Sequence, residues 1–247
     1  MTTQTAQTTH YDLCVIGSGS GNTIVDRHFL DKKVAIIERG RFGGTCSNVG
    51  CIPSKMLIHP ADIVETARHA GRLGVDVDVR GVRWGDVRDR IFGRLDEISR
   101  SGRDYRAGQP HVTLYEAEAR FVGPKRLVVA GEEITADHIV IAAGARTNVP
   151  DVPGLTDVGF DTSDTIMRVP ELPKRLVILG GGFIAAEMGH VFEAYGSEVT
   201  VLLRGERLLS REDPDVSHRI TELLGRRLHL VPQADVTLVR RHGDAIV

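Results

Sequence analysis

The sequence lacks a large net charge, long apolar runs and a signal peptide, and each absence excludes a class of protein. Acidic and basic residues nearly cancel, 33 Asp and Glu against 31 Lys and Arg, so no basic excess indicates nucleic-acid binding. No apolar run approaches the roughly 20 residues of a membrane span. The first residues, MTTQTAQTTHYD, lack the charged and apolar regions of a signal peptide. We therefore predict a cytoplasmic protein without a nucleic-acid or membrane partner.

Cysteine is also scarce, because three cysteines in 247 residues are too few for a disulfide scaffold. Two of them, Cys46 and Cys51, lie in the glycine-rich stretch GGTCSNVGCIPSK. A structural disulfide across so short a loop would be unusual in a reducing compartment and would stabilise the fold by only about 2 kcal/mol. A zinc site needs further ligands, and no second Cys/His cluster has a suitable spacing, so we predict no metal site.

The residues around this pair favour a redox role over two unrelated buried thiols. Gly43 and Gly44 let the backbone approach a ligand closely. The apolar spacing after Cys51 predicts a helix, whose N-terminus would lower thiol pKa values and bind phosphate. Five residues rise about 7.5 Å along an ideal helix, too far for a relaxed disulfide. Cys14, inside an apolar strand, is instead predicted to pack in the core.

A first nucleotide signature precedes the cysteine pair. An apolar strand over 13–16 runs into the glycine loop GSGSGN, which begins at Gly17 and carries Asn22 where the usual pattern has glycine. The next strand, KKVAIIE, ends in Glu38, about 20 residues after Gly17, where a ribose-binding acid is expected. Strand, glycine loop, helix and acid together predict a dinucleotide site.

A second signature lies downstream. A strand over 176–179 leads into GGGFIA at Gly180, then a helix, then a strand ending at Arg204. A carboxylate at that strand end would bind a free ribose 2′-hydroxyl, whereas Arg204 would bind a 2′-phosphate. The predicted nucleotide is therefore NADP, with Arg207 or Arg211 as helpers. An ordinary exposed arginine is the alternative.

The segment between the two signatures has a coarse but interpretable pattern. Residues 60–109 look helical and charged, with a glycine-marked break near GRLGVDVDVRGVRWGD. Residues 111–145 alternate like a small β-meander that ends in a buried strand over 139–143. The proline-rich stretch RTNVPDVPGLTD then leads to the second signature.

Two dinucleotide signatures with GGTCSNVGCIPSK between them resemble the pyridine nucleotide–disulfide oxidoreductases, the FAD enzymes related to glutathione reductase. The resemblance runs from about Tyr11 to near the end of the chain. It implies an α/β fold of two Rossmann-like dinucleotide-binding units. Residues 1–149 would form an FAD domain with the redox-active cysteines and a small β-meander. Residues 150–168 would form a linker returning to the FAD site, and 169–247 an NADP domain that is incomplete at its C-terminus.

The resemblance also implies a role for each matching residue. Lys55 would line the flavin and pair with Glu187, and Phe183 stands where the family often has a tyrosine gating the nicotinamide pocket. Ala143 replaces a threonine of the family's A-T-G strand. The residues expected to contact FAD are Gly17, Ser18, Gly19, Ser20, Glu38, Gly44, Thr45, Ala119, Ala143, Gly144 and Ser163. Those expected to contact NADP are Gly180, Gly182, Phe183, Ile184 and Arg204.

The implied chemistry is the NADPH-dependent reduction of a low-molecular-weight thiol disulfide through FAD and a Cys46–Cys51 disulfide. Cys51 would lie nearer the flavin, and Cys46 would attack the substrate. The family works as a homodimer, and its acid–base histidine lies beyond the residues matched here. The chain therefore resembles an N-terminal half that we expect to lack turnover. Alternatives are a mercuric reductase, a dihydrolipoyl dehydrogenase (disfavoured by Arg204) or a truncated, non-catalytic flavin-binding or redox-sensing module.

Overall fold

The structure is a computed structural model that describes residues 8–243 and 245–247. The chain forms two compact units. The first combines the residues up to Cys51 with Gly93–Arg146, and the second combines Ile52–Phe92 with Thr147–Val247. Among the described residues, none of the helices has both the length and the apolar character needed to cross a bilayer.

The described residues form six α-helices and eleven strands. The helices are α1 (Gly44–Asn48), α2 (Cys51–Arg68), α3 (Trp84–Ala107), α4 (Leu155–Val158), α5 (Phe183–Ala194) and α6 (Pro214–Gly225). The strands are β1 (Thr9–Ile16), β2 (Val34–Ile37), β3 (Val112–Tyr115), β4 (Ala119–Gly123), β5 (Arg126–Val129), β6 (Glu132–Ile141), β7 (Arg175–Leu179), β8 (Glu198–Leu202), β9 (His229–Val231), β10 (Arg241–His242) and β11 (Ala245–Ile246). Short 3₁₀ turns lie at Ser20–Ile24, Arg27–Phe29, Ala70–Leu73 and Ile166–Arg168.

The first unit is built on a sheet with the strand order β3-β2-β1-β6-β5-β4. Strands β3, β2, β1 and β6 are parallel, while β6, β5 and β4 form an antiparallel meander. Every residue of β2 is buried, as expected for a parallel strand covered on both faces. The carboxyl ends of β1 and β2 lie at the same edge, and this edge is where ligands bind in such sheets.

The core of this unit consists of two clusters of apolar side chains. In one, the Tyr11 and Tyr115 hydroxyls are 2.8 Å apart beside the fully buried Leu127 and Ile134. In the other, the β1 and β2 side chains pack with Phe42. Full burial of such a side chain contributes roughly 1.5–3 kcal/mol, so these clusters hold the carboxyl-end loops on a rigid base.

The second unit contains the parallel sheet β7-β8-β9, with α5 connecting β7 to β8 and α6 connecting β8 to β9. Helix α5 buries Val191 and Phe192 completely. Helix α6 begins where the Asp213 carboxylate accepts a hydrogen bond from the Asp215 N–H, with Pro214 in the first turn. This is the β-α-β-α-β order of a Rossmann-like unit. The predicted α/β fold, with two Rossmann-like units and a β-meander in the first, is confirmed.

One expected element is absent from the first unit. The segment after the first glycine loop does not form an α-helix but two 3₁₀ turns. The β-branched run Thr23-Ile24-Val25 loses side-chain freedom in a helix. Immediately afterwards, the Asp26 carboxylate accepts the His28 N–H at 2.9 Å, which competes with helical hydrogen bonds.

Two strands also differ from expectation. Strand β3 was predicted within the meander but pairs with β2 in the parallel part of the sheet. The predicted burial at 139–143 is wrong, since Ile141 is 69% exposed while Ile134 and Ala136 are buried. Strand β5 pairs with β6 only as far as Thr135, so the last residues of β6 have a neighbouring strand on one side only.

Candidate functional site

The first glycine loop turns tightly beside the chain that leaves β6. Gly17 has a φ of +109°, and a Cβ added there would lie 2.2 Å from the Ala142 carbonyl oxygen. A Cβ on Gly21 would lie 2.2 Å from the Ala142 Cβ. Only residues without side chains fit these positions, because no rotamer relieves a clash at Cβ. Ala143 and Gly144 come directly after Ala142, so they lie beside the first glycine loop. Both are predicted to contact the same ligand as that loop.

A second glycine-rich segment packs against the first. Gly44 has a φ of +70°, and a Cβ there would lie 2.6 Å from the Gly19 Cα. Gly43, also left-handed, precedes α1, and its N–H donates to the Ser18 hydroxyl at 3.0 Å. We call residues 17–22 together with 43–44 the dinucleotide cradle. It places the start of the cysteine motif against the first glycine loop.

Glu38 is fixed at the edge of this cradle. Its Oε2 accepts the Ser18 N–H at 3.0 Å and the Ser18 hydroxyl at 2.7 Å, and its Oε1 accepts the Gly40 N–H at 2.7 Å. Partial burial raises the pKa of Glu38, but the hydrogen bonds from Ser18, Gly40 and Arg39 together outweigh it and hold the pKa below its usual value. The group is therefore an oriented carboxylate with lone pairs left for further donors.

The predicted redox cysteines lie on two different helices. Cys46 is in α1, Cys51 is the first residue of α2, and both are exposed. Because the helix is interrupted between Asn48 and Cys51, the rise of a single ideal helix does not describe their separation. Cys14 is fully buried in β1, where burial raises its pKa to about 11. It is the core residue that the sequence predicts.

In the second unit the structure brings Lys55 and Glu187 together. Lys55 lies one turn after Cys51 on α2, and its Nζ donates to the Glu187 Oε1 from the start of α5. The Lys55 side chain is 61% exposed, and an ion pair so close to solvent adds little stability. The contact with Glu187 instead fixes the position of the Lys55 ammonium, one turn after the start of α2.

The other glycine loop has space for a ligand. Gly180, which follows β7, has a φ of +107°, and among the described residues nothing lies within 4 Å of a Cβ added at Gly180 or Gly182. Gly182 precedes α5, and the first helical residues, Phe183 and Ile184, are 68% and 44% exposed. Arg204 is exposed two residues after β8 ends. All five residues lie at the carboxyl edge of the β7–β8 pair.

Three further predicted contact residues lie in α1, in β4 and in the loop after α4. Thr45 is exposed in α1, and Ala119 begins β4, where it packs against the Tyr11 cluster. Ser163 belongs to the second unit, in the loop after α4, with its hydroxyl 3.5 Å from the Asp164 Oδ1. Their roles remain predictions.

The histidines hold no place among the predicted site residues. Arg227 donates to the His190 Nδ1 at 3.1 Å, so the His190 proton resides on Nε2, which donates to the Asp62 Oδ1 at 2.9 Å. This places His190 in a charged network between α2, α5 and the segment after α6. His59 and His69 are exposed on and just after α2.

One buried residue of the cysteine motif, Asn48, is not singled out from the sequence. Asn48 is buried and donates to two backbone carbonyls, and no local pattern indicates that a polar residue between two exposed cysteines is buried.

A family model described as "Pyridine nucleotide-disulphide oxidoreductase" matches residues 11–247. The chain belongs to this family. Mycothione reductase from Mycobacterium tuberculosis is 44% identical over 96% of this chain and 53% of its own length. Mercuric reductase from Bacillus cereus is 35% identical over 95% of this chain and 38% of its own length. The chain thus spans about half the length of the mycothione reductase that it matches.

Among solved structures, the chain is similar to the HOCl-induced flavoprotein disulfide reductase RclA from Escherichia coli. That structure aligns with a TM-score of 0.80 and 29% identity, covering 96% of this chain and 52% of the other. Its Cu(II) complex aligns with a TM-score of 0.81. The aligned region includes both Rossmann-like units of this chain.

The dinucleotide cradle fits the kind of cofactor that its family's name implies. The backbone approaches at Gly17, Gly21 and Gly44 are so close that no side chain fits at these positions, and the Glu38 carboxylate lies at the edge. The Asn22 Oδ1 in the cradle is buried and has no hydrogen-bond partner among the described residues. A buried acceptor of this kind is costly unless a donor reaches it, so the cradle has polar capacity left for a ligand.

Proposed function

We propose that the chain carries the FAD-binding, NADP-binding and dithiol parts of a flavin disulfide reductase. The observation that carries this proposal is the backbone contact between Gly19 and Gly44, because it sets the cysteine motif against the dinucleotide cradle. A disulfide at that place would lie within reach of a cofactor held by the first glycine loop. The interrupted helix and the exposure of both cysteines also support a reactive pair.

Residues in and beside the dinucleotide cradle would bind FAD. The N–H groups of the loop from Gly17 to Ser20 would face the pyrophosphate, and Glu38 would accept hydrogen bonds from the adenosine ribose. Ala143 and Gly144 would line the same edge. When bound, FAD supplies the transfer of electrons from NADPH to the disulfide.

The two cysteines would perform thiol–disulfide exchange. The Cys46 thiolate would attack one sulfur of the substrate disulfide, forming a mixed disulfide and releasing the first substrate thiol. The Cys51 thiolate would then attack the Cys46 sulfur, releasing the second thiol and forming the Cys46–Cys51 disulfide.

Different observations support our proposals for the substrate and for the nicotinamide cofactor. The substrate that we propose is mycothiol disulfide, because the mycothione reductases are 44% identical to this chain and the mercuric reductases 31–35%. We propose NADPH as the reductant because Arg204 stands at the end of β8, where a 2′-phosphate would lie. The domain limits 1–149, 150–168 and 169–247, a homodimeric whole protein and a cytoplasmic location belong to the same proposal.

The test is thiol labelling of the purified protein loaded with FAD. In the oxidised protein, a maleimide should label neither Cys46 nor Cys51, and NADPH should make both reactive. NADH should do so less efficiently, and removal of FAD should abolish the effect of NADPH while dithiothreitol still acts. Cys14 is the internal control, since it is fully buried and should stay unlabelled until the protein is unfolded.

The proposal is wrong if Cys46 and Cys51 are labelled fully before any reductant is added. In the full-length protein, mycothiol disulfide should reoxidise the NADPH-reduced dithiol faster than glutathione disulfide or lipoamide does. Faster consumption of the dithiol by Hg(II), with reduction of the metal, would instead favour a mercuric reductase.

A further inference from the structure

A buried asparagine lies between the two cysteines of the motif. Asn48, the last residue of α1, is only 3% exposed. Its Nδ2 donates to the Phe42 carbonyl at 3.0 Å and to the Gly44 carbonyl at 2.9 Å. Burying an amide is unfavourable unless it makes hydrogen bonds, so the two carbonyls and the Asn48 side chain hold one another in place.

The Phe42 carbonyl connects this loop to a long helix. The Ser99 hydroxyl, on α3, donates to the same oxygen at 2.7 Å. The Phe42 ring is buried, and a Cβ on Gly102 of α3 would lie 3.4 Å from it. The start of the cysteine motif is thereby anchored on α3 by a hydrogen bond and by ring packing.

The chain between Asn48 and Cys51 folds back on α1. The Val49 N–H donates to the Thr45 carbonyl at 2.9 Å. A Cβ on Gly50 would lie 3.0 Å from that same oxygen, which leaves no room for a side chain unless Thr45 shifts. The segment between the two cysteines is therefore compact, and the position of Asn48 determines where this segment leaves α1.

We propose that Asn48 is a positioning residue that holds the two thiols at the separation at which their disulfide closes and reopens. It acts through the carbonyls of Phe42 and Gly44. Two thiols that are held in reacting geometry form a disulfide more readily than two thiols on a mobile loop, because little orientational entropy is left to lose. This inference rests on the proposed function, since it requires that Cys46 and Cys51 form a reversible disulfide.

The experiment measures the dithiol–disulfide equilibrium of the 247-residue protein in glutathione buffers. Closing the Cys46–Cys51 disulfide reduces one glutathione disulfide to two glutathione thiols, so the equilibrium constant measures how well the thiols are placed. Alkylation and mass spectrometry give the oxidised fraction. Asn48→Ala removes the amide, and Asn48→Asp keeps its shape but removes both N–H donors. Each should lower the constant at least about tenfold, which makes the potential about 30 mV less negative.

Ser99→Ala is the matched control, because it removes a hydrogen bond from the same Phe42 carbonyl without changing the segment between the cysteines. Its equilibrium constant should stay within about twofold of the wild-type constant. An equal shift in Ser99→Ala would overturn the inference, since the effect would then come from general loosening around Phe42. An equilibrium constant equal to that of the wild type in both Asn48 variants would also overturn the inference. If Asn48→Ala does not fold, Asn48→Asp decides.

The two proposals fail in distinguishable ways. If the wild-type protein forms no disulfide at any glutathione ratio, the redox function itself is wrong, and the role of Asn48 is wrong with it. If the wild-type disulfide forms and the Asn48 variants leave it unchanged, only the positioning role is wrong.

Discussion

Glu38 is a residue whose local environment sets its charge. Its folded-state pKa is held below the usual 4.5, so folding favours the carboxylate. The resulting stabilisation is present above pH 4.5 and is lost as the pH falls through the lower folded-state pKa. The carboxylate is partly exposed, so solvent screening reduces what its hydrogen bonds contribute.

Glu38→Gln should therefore lower the free energy of unfolding by about 0.5–1 kcal/mol at pH 7. The difference from wild type should shrink below pH 4.5, which urea unfolding across a pH series would measure. Glu118→Gln is the control, since Glu118 pairs with Arg39 while 74% exposed and should have almost no effect. A loss in Glu38→Gln that does not change between pH 7 and acid pH would contradict the assigned role of the charge.

Arg204 is the residue on which nucleotide preference depends in our proposal. Arg204→Glu should shift the ratio of NADP⁺ to NAD⁺ affinities by about 30- to 1,000-fold, because a charge-assisted phosphate contact is replaced by repulsion worth roughly 2–4 kcal/mol in all. Equilibrium dialysis with both nucleotides would measure the two dissociation constants.

Arg175→Glu makes the same charge change at the start of β7, the opposite edge of the parallel sheet. It should leave the ratio unchanged. An unaltered ratio in Arg204→Glu would mean that Arg204 is an ordinary surface charge.

At the scale of elements, the contact between the two glycine-rich loops determines whether the cradle can form. Gly44→Ala adds a Cβ 2.6 Å from the Gly19 Cα at a residue with a φ of +70°. Left-handed strain and overpacking together should cost about 2–4 kcal/mol of unfolding free energy. Denaturant unfolding should show this loss, and the variant should retain little FAD.

Gly40→Ala is the matched control in the same unit. Its Cβ would meet only the Glu38 Oε1 at an ordinary 3.5 Å, so stability should change by less than about 0.5 kcal/mol. Normal FAD uptake by Gly44→Ala would show that the close approach of the two loops is not needed for binding.

At the scale of the whole molecule, two separate ligands should stabilise two separate units. A ligand present at about 100 times its dissociation constant stabilises the fold by roughly 2.7 kcal/mol. FAD should slow hydrogen exchange in residues 11–22 and 34–44, and NADP⁺ should slow it in residues 175–204. Hydrogen-exchange mass spectrometry would locate both effects.

The Gly44→Ala variant separates these effects. It should lose the protection by FAD and keep the protection by NADP⁺, because the altered loop is in the first unit only. Loss of both would show that the two sites are not independent. Protection by NADP⁺ of the first glycine loop instead of the second would reverse the assignment of the two loops.

Much of the fold follows from local patterns in the sequence. Short apolar runs predicted β1, β2, β7 and β8, and the glycine loops after β1 and β7 indicated the two dinucleotide sites, because a tight turn at the end of a strand needs glycine. Local propensity was less informative after Gly21. The glycine signature predicted a helix there, while Ser20–Ile24 forms a 3₁₀ turn.

Only the tertiary structure decided which distant residues meet. Gly17 must be glycine because Ala142, far along the chain, passes 2.2 Å from where its Cβ would be. The contact of Lys55 with Glu187 spans 132 positions, and the Ser99 bond to Phe42 spans 57. A sequence pattern reports the preferences of neighbouring residues, whereas these contacts depend on strand order and helix packing. The residue types needed for a dithiol and two nucleotides were therefore visible in the sequence, but the burial of Asn48 between the thiols depended on how the loop packs against α3.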